Sequence, residues 1–473
     1  MDTDPFVRLM NRLHATENHL IHSVLVVKDG TLVFEEYFDG ADLNLFDEDM
    51  MTGCTLCFEE KHFTRDELHF TASVTKSITS QVFGIAVDRG YISGSDAKMV
   101  SFFPDYAHLR TPEKDQITVH QMLSMTTGLP FDERTYPISD SRNDAFQLFL
   151  SKDPLAFMLG RDVAQAPGRS YQYNSGTTVL LGEIIRRATE QSLPSFAEEH
   201  LFAPLGITTY QWADCFGAPN VSFASGGLYL RPRDMAKVGQ LMLQGGVWNG
   251  HRLLSSDWVQ RSVTMATAVT DGSGIDGYGY QWKLRRYSGL DAFYASGWGE
   301  QFLVVIPEEN LVYVQTSGRY NGERIPVWHD AIIEGYVLPA IRDRVAAQDA
   351  SVRAVVDAWP GLLDGGDVDG IMDILAADPV LIHPRLPGFV GRDSIRAFVE
   401  QVFRQQAAVG SSIQVETIQT AGNWAHVVAR FETTWNPRNG ASPFRESARY
   451  LWVLRRDASG VWKVKSFSFY PIN

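Results

Sequence analysis

The apolar positions of the chain change period several times. Between residues 22 and 38 (HSVLVVKDGTLVFEEYF), Val24, Val26, Leu32 and Phe34 flank Lys28-Asp29-Gly30, which predicts two strands joined by a turn. Residues 74–90 place Ile78, Val82, Phe83, Ile85 and Ala86 on one helical face, with Gly90 as the stop. Shorter amphipathic segments at 117–125, 176–190 and 234–244 predict further helices, the first ending at Thr126-Thr127-Gly128. Residues 278–284, 293–306 and 311–316 return to aromatic and β-branched residues and read as strands, with a turn at Pro307-Glu308-Glu309-Asn310. A helical middle bracketed by strands is an α+β pattern.

The texture changes again after residue 340. The run IRDRVAAQDASVR is polar with helical character and predicts a connecting helix. Helical patterns at 353–363 and 393–407 then give way to strand patterns at 412–419, 424–435, 445–456 and 461–470, with a hairpin turn at Asp457-Ala458-Ser459-Gly460. The expected organisation is therefore a large α+β domain over residues 1–345 and a second, small α+β domain over 352–473.

Composition narrows the function classes. The chain has 473 residues, of which 44% are hydrophobic and 21% charged, so disorder is excluded for its bulk. A formal net charge of −14 disfavours a nucleic-acid or anionic-membrane partner, which requires a basic face. No apolar run reaches the length of a bilayer span. The acidic start MDTDPFVRLM lacks the apolar core of a secretory signal, which makes the cytoplasm the expected location. Cys54, Cys57 and Cys215 are too few for a disulfide framework.

Candidate chemistry begins at Ser73-Val74-Thr75-Lys76. Ser73 opens an apolar helix, so Lys76 lies on the same helical face one turn on, and the helix N-terminus favours developing negative charge. A second S-x-x-K, Ser95 to Lys98, sits in a loop with no helix behind it and is set aside. Tyr173 precedes a helix in the polar turn Tyr171-Gln172-Tyr173-Asn174-Ser175-Gly176. The small residues of Ala295-Ser296-Gly297, before Trp298, would let a substrate lie against a strand edge.

These stretches, in this order, resemble the serine beta-lactamase/penicillin-binding-protein superfamily, and within it the esterase and 6-aminohexanoate-dimer hydrolase branch. The segments SVTKSITSQVFGIAVDRGYI, ITVHQMLSMTTGL, ASGGLYLRPRDMAKVGQLML and GYGYQWKL carry the same resemblance, which covers about residues 20–340. It implies a beta-lactamase/transpeptidase-like fold, an antiparallel sheet with a helical region. It also implies Ser73 as nucleophile, Lys76 as its proton acceptor and Tyr173 as general acid/base. The oxyanion hole would be the amides of Ser73 and Trp298, with Ser175, Ser296 and Gly297 as substrate-binding positions. Burial would favour a neutral Lys76, and a nearby ammonium would favour tyrosinate at Tyr173. Two positions depart from the superfamily. The usual Tyr-x-Asn reads Tyr173-Asn174-Ser175, as in the aminohexanoate branch, and the third motif lacks its leading cation. That cation normally helps hold a substrate carboxylate, so its loss, together with the absent signal, argues against work on beta-lactams or cell walls.

Other signals carry less. Cys54-Thr55-Leu56-Cys57, with His62 and His69 nearby, has no second cysteine pair to complete a zinc site. Gly272 to Gly277 fits G-x-G-x-x-G but leads into a strand pattern and reads as a loop. Asp105, His108 and His120 read as surface or helix-start residues. Tyr171, Trp282, Tyr294 and Trp298 are candidates for a pocket wall or for core, and the segments 40–66 and 131–165 for the loops that set substrate choice. No metal and no organic cofactor is expected.

Residues 352–473 resemble the SnoaL-like, nuclear-transport-factor-like cone, on the strength of DP-x-L-IHP at 378–384, PGFVGRD at 387–393 and RYLWVLRRDASGVWKV at 449–464. The resemblance implies a curved sheet around a pocket, with His383, Asp393, Trp424, Trp435 and Arg445 as candidate pocket residues and a homodimer as a plausible assembly. The combined expectation is a serine hydrolase of small esters or amides. Acyl transfer in secondary metabolism at the same site, or a ligand-binding or cyclase role of the cone domain, are the alternatives.

Overall fold

The structure is a computed structural model that describes residues 3–47, 56–320, 328–384 and 386–471, except for the side chains of 343–348 and 421. The chain divides into two compact units, Arg8–Val337 and a second built from Leu338 onward together with the first seven residues. The helix Leu338–Asp364 runs without interruption through the residues expected to separate the domains.

In the first unit, strands β1 (Ile21–Lys28) and β2 (Thr31–Tyr37) form the hairpin that the sequence predicts, with Asp29 and Gly30 at φ +53° and +74° in its turn. Helix α1 (Val74–Asp88) follows, then the short α2 (Val119–Leu123), α3 (Ser175–Thr189) and α4 (Pro232–Leu243). Strands β3 (Lys283–Tyr287), β4 (Leu290–Gly297), β5 (Gln301–Ile306) and β6 (Leu311–Ser317) complete the unit. With two short strands, Thr267–Ala268 and Gly277–Tyr278, they make an eight-stranded antiparallel sheet. From the Thr267 edge the order continues β3-β4-β5-β6-β1-β2, so the N-terminal hairpin closes against the last strand.

Three stretches of this unit differ from expectation. The sequence pattern assigns α1 one apolar face, yet every residue from Val74 to Ala86 is buried. Two of its polar side chains find backbone partners inside: Ser77 donates to the Gln281 carbonyl at 2.6 Å and Thr79 to that of Ala224 at 2.7 Å. Buried polar partners of this kind disguise a central helix as an amphipathic one. The run 293–306 is two strands rather than one, because Gly299 and Glu300 turn the chain at φ +86° and +66°. Likewise Gln281, at φ +64°, breaks the 278–284 run, and Trp282 goes fully into the core against Phe293.

In the second unit, α5 (Leu338–Asp364) leads to β7 (Leu375–Ile382), α6 (Arg392–Gln405), β8 (Gln406–Ala421), β9 (Trp424–Pro437), β10 (Phe444–Arg456) and β11 (Trp462–Pro471). The six-stranded sheet runs from Phe389–Val390 through β7, β11, β10 and β9 to β8, and β7 pairs parallel with β11. Strict alternation on β9 buries Ala425, Val427, Ala429 and Phe431 against the helices. Strand β7 escapes the sequence reading because Asp378-Pro379 interrupts its apolar run, and its register with β11 shifts across that step.

Candidate active site

Ser73 caps the N-terminus of α1, directly after Ala72, which takes φ +46° in the left-handed region. The approach is a two-residue strand, His69–Phe70, paired antiparallel with Leu228–Leu230. A sharp strand-to-helix turn therefore presents the Ser73 hydroxyl. Lys76 is 2% exposed, and its Nζ donates to Ser73 Oγ at 2.8 Å and to the Ser225 carbonyl at 2.7 Å. Burial pushes the Lys76 ammonium down to about 8, with Glu133 opposing the shift and Arg134 adding to it.

Tyr173 lies just ahead of α3, its ring centroid 4.9 Å from Lys76 Nζ and its hydroxyl hydrogen-bonded with Ser73. The next residue fixes this geometry: Asn174 is buried, accepts the Thr177 N–H at 3.0 Å as the cap of α3, and donates to the Leu129 carbonyl at 3.2 Å. Burial and the Glu133 carboxylate both raise the Tyr173 phenol above its ordinary value. The expected drift toward tyrosinate is thereby reversed, first by burial and then by Glu133, a residue that the sequence reading did not single out. Glu133 accepts the Ser175 N–H at 2.9 Å and the Ser175 hydroxyl at 2.5 Å. Ser175 is thus a holder of Glu133 as well as part of the cavity wall.

The third motif reaches the same place from the sheet. A Cβ placed on Gly297, at the end of β4, would sit 2.4 Å from the Thr71 carbonyl oxygen and 2.9 Å from the Ser73 amide nitrogen. Only glycine allows the strand to lie this close to the Ser73 backbone. Trp298 follows, its ring edge-on to Tyr320 at 5.0 Å. Among the described residues, neither the Ser73 nor the Trp298 N–H donates to a protein acceptor.

The third motif lacks its own cation, but the neighbouring strand supplies one. Lys283 opens β3 opposite Tyr294 on β4, and its Nζ donates to Ser296 Oγ at 2.5 Å. The same nitrogen lies 5.7 Å from the Tyr173 ring centroid. Burial, Arg134 and Lys76 push Lys283 down to about 7, against the pull of Asp271 and Glu133. Arg134 packs over the other side of the site, 4.9 Å from the Tyr173 ring centroid, and pairs with Asp271 at 2.8 Å.

These groups line a cavity of about 810 Å³. Ser73, Lys76, Tyr173, Ser175, Ser296, Gly297 and Trp298 all face it, together with Glu133, Arg134 and Lys283. The rest of the wall is apolar and comes largely from the two expected loop segments, including Leu43, Leu45, Ile138, Phe146 and Phe149, with Phe216 and Phe223 from beyond them.

The other candidates lie elsewhere. Tyr171 packs on Tyr278, and Trp282 and Tyr294 are buried, so of the four aromatics only Trp298 borders the cavity. Asp105 pairs with Arg187 at 2.5 Å, His120 bonds Tyr280 at 2.8 Å, and His108 is exposed. The second S-x-x-K places Lys98 on the Gln116 carbonyl, away from Ser95. Cys54 lies outside the described residues, Cys57 and Cys215 are buried, and no metal-holding cluster occurs among the described residues. In the second unit Asp393 and Trp424 are exposed, Arg445 pairs with Glu432, Trp435 donates to Glu446 at 2.7 Å, and His383 packs on Phe469. No helix among the described residues is long and apolar enough to cross a membrane.

Comparison with known proteins gives the family of the chain. The beta-lactamase family profile matches residues 13–332, and a SnoaL-like domain profile matches residues 344–468. The 6-aminohexanoate-dimer hydrolase of Paenarthrobacter ureafaciens is 29% identical over 211 residues, 42% of this chain and 51% of that protein. The chain thus spans about half the length of that curated relative. Among solved structures, the octameric penicillin-binding protein homologue of Pyrococcus abyssi superposes with a TM-score of 0.55 at 14% identity, covering 96% of this chain and 98% of that one. A family VIII carboxylesterase superposes at 0.51 with 19% identity, covering 71% and 95%. At those identities the likeness is one of fold. The chain belongs to the beta-lactamase family and carries a SnoaL-like domain at its C-terminal end.

Proposed function

We propose that the chain is a serine hydrolase that cleaves small esters or amides through an acyl group carried on Ser73. One observation carries the reading: Lys76 Nζ lies 2.8 Å from Ser73 Oγ, and the lysine is buried and pushed down to about 8. A serine hydroxyl needs a base to become a nucleophile, and a lysine at its ordinary value near 10.4 is a poor one at neutral pH.

Neutral Lys76 takes the Ser73 proton as Oγ attacks the substrate carbonyl. The tetrahedral oxyanion accepts from the Ser73 and Trp298 amides, a role supported by the lack of a protein acceptor for either among the described residues. Tyr173 is a phenol and can give its proton to the leaving oxygen or nitrogen as that bond breaks, and Lys76 returns the proton to Tyr173. Water then attacks the acyl carbonyl. Its proton passes to neutral Lys76, directly or by relay as Tyr173 gives up one proton and takes another. As the second tetrahedral species collapses, that proton goes to Ser73 Oγ, which frees the acid and restores the enzyme. Hydrolysis is also what the names of two similar proteins state, one a 6-aminohexanoate-dimer hydrolase and one, alike in fold, a family VIII carboxylesterase.

Hydrolysis of p-nitrophenyl butyrate by the wild type and by Ser73→Ala tests this directly. Turnover that vanishes in Ser73→Ala supports the reading. Turnover that survives the substitution overturns it and moves attention to the SnoaL-like domain.

A further inference from the structure

A carboxylate that takes no part in the reaction lies buried behind the site. Asp42, in the short strand Gly40–Leu43, is fully buried. Its ion-pair neighbour among the described residues is His69, with Nδ1 at 3.8 Å, and burial lowers that imidazole, which is therefore neutral. A buried carboxylate without a cation must be held by hydrogen bonds. Three donors do so. The Leu43 N–H, at 3.0 Å, and the Tyr320 hydroxyl, at 2.6 Å, share Oδ1, and the Phe70 N–H reaches Oδ2 at 3.0 Å. Burial and Asp42 hold the Tyr320 phenol well above its ordinary value, so it stays a donor.

Two of these donors lead to the two amides assigned to the oxyanion. Phe70 ends the strand from which the chain turns, at Ala72, into Ser73. Its carbonyl is held as well. His69 Nδ1 lies 2.9 Å from it, and a carbonyl only accepts, so Nδ1 carries the proton and Nε2 accepts from His22 at 2.8 Å. Tyr320 supports the other amide. Its ring meets Trp298 edge-on at 5.0 Å, and a Cβ on Gly299 would lie 2.4 Å from its Cε1. Gln301, fully buried, donates to the Trp298 carbonyl at 3.3 Å and to that of Ser317 at 2.6 Å. The Ser73 turn thus rests on Phe70 and the Trp298 segment on Tyr320, and Asp42 bonds to both supports.

We infer that Asp42 and Tyr320 are positioning residues that fix the separation of the Ser73 and Trp298 amides. The inference rests on the serine-hydrolase reading and goes beyond it, since neither side chain lines the cavity. Backbone donors stabilise an oxyanion without reorganisation only while the segments that carry them cannot drift. A misplacement of about 1 Å costs up to about 10²-fold in rate, so a tie between the two segments bears directly on turnover.

The test uses 1,1,1-trifluoropentan-2-one as an inhibitor of p-nitrophenyl butyrate hydrolysis. Ser73 Oγ adds to its carbonyl carbon, the serine proton passes to Lys76, and the carbonyl oxygen becomes an alkoxide facing the two amides; nothing leaves. Pentan-2-one has the same chain without the activating fluorines and reports on binding alone. Tyr320→Phe should weaken the trifluoroketone and lower kcat/KM together, each about tenfold, short of the about 10²–10³-fold that loss of an oxyanion donor costs, with pentan-2-one inhibition changed by less than about twofold. Asp42→Asn should show the same pattern more strongly. Tyr313→Phe removes another buried hydroxyl of the sheet, one that donates to Gln315 at 2.8 Å. It should lower the melting temperature and leave both readouts unchanged. Thermal melts establish that each variant is folded. Wild-type trifluoroketone affinity in folded Tyr320→Phe overturns the inference. An equal loss in Tyr313→Phe also overturns it, because stability rather than positioning would then govern the readout. Turnover that survives in Ser73→Ala overturns the hydrolase reading and the inference with it, and that failure shows before Tyr320 is changed.

Discussion

The two units are built alike, from a sheet packed by helices, but they treat their candidate polar residues in opposite ways. In the first unit, residues from a helix cap, a loop before a second helix and the end of a strand meet in one cavity, although most of the unit's sequence lies between them. In the second, the candidates stay apart. Trp424 and Trp435 stand at opposite ends of β9, and eleven residues of extended chain span about 36 Å at about 3.3 Å each. Each has a local partner: Trp435 bonds Glu446, and Arg455 lies over Trp424. Sites form where chain ends of several elements converge, and residues drawn from one long strand cannot converge without help from others.

Substitutions at matched positions should expose this contrast. Ser73→Ala should lower kcat/KM for p-nitrophenyl butyrate by about 10³-fold or more, as expected when a nucleophile is lost, whereas Trp435→Phe should leave it within about twofold. Comparable losses in both would mean that the second unit takes part in the chemistry. Tyr173→Phe keeps the ring but removes the acid, and a general acid contributes about 10²–10⁴-fold. An amide substrate should suffer more than an activated ester, because its leaving group needs the proton.

Gly297→Ala should cost about 10-fold or more in kcat with the circular dichroism spectrum unchanged, since the added methyl meets the Thr71 carbonyl at 2.4 Å. An unimpaired Gly297→Ala would show that the close approach of β4 has no part in activity. In the wild type, kcat/KM should rise with pH and level off above an apparent value near 8, because Lys76 accepts a proton only when neutral. A profile that is flat between pH 6 and 9 would remove Lys76 as the base.

The smallest effect concerns stability. His22 and His69 are buried and bonded to each other at 2.8 Å, and burial pushes His22 down to about 2. A histidine whose folded value lies below its unfolded one, near 6.5, binds protons in the unfolded chain first. The stabilisation is complete above about pH 6.5 and is lost as pH falls toward the folded value, at about 1.4 kcal/mol per pH unit for one group. Urea midpoints at pH 7.5 and 5.0 should show the fall, and His22→Leu should reduce it.

Much of this was legible in the sequence. Ser73, Lys76 and Tyr173 stand out because each is tied to a helix start, and helix starts are local features. The hairpin at Asp29-Gly30 and the strands after residue 424 were legible for the same reason. Glu133 and Lys283 were not. Glu133 lies in a loop whose course depends on Arg161 pairing with Asp144 and on Asn143 bonding to the carbonyls of Glu133 and Tyr136. Lys283 is visible in GYGYQWKL, but its approach to the site depends on strand register, which composition does not encode. The buried polar bonds of α1 hid a central helix behind the pattern of a surface one.

The seating of Gly297 on the Ser73 turn bears on how this scaffold can be altered. A residue inserted at the end of β4, or in the turn ahead of α1, would displace one half of the site against the other. Phe146, Phe149 and Leu150 border the cavity beyond Glu133 and Arg134, the loop residues that act on Lys76 and Tyr173. Changes at those three positions would reshape what enters the cavity and leave the reacting groups in place, so the fold separates positions open to exchange from segments that must keep their length.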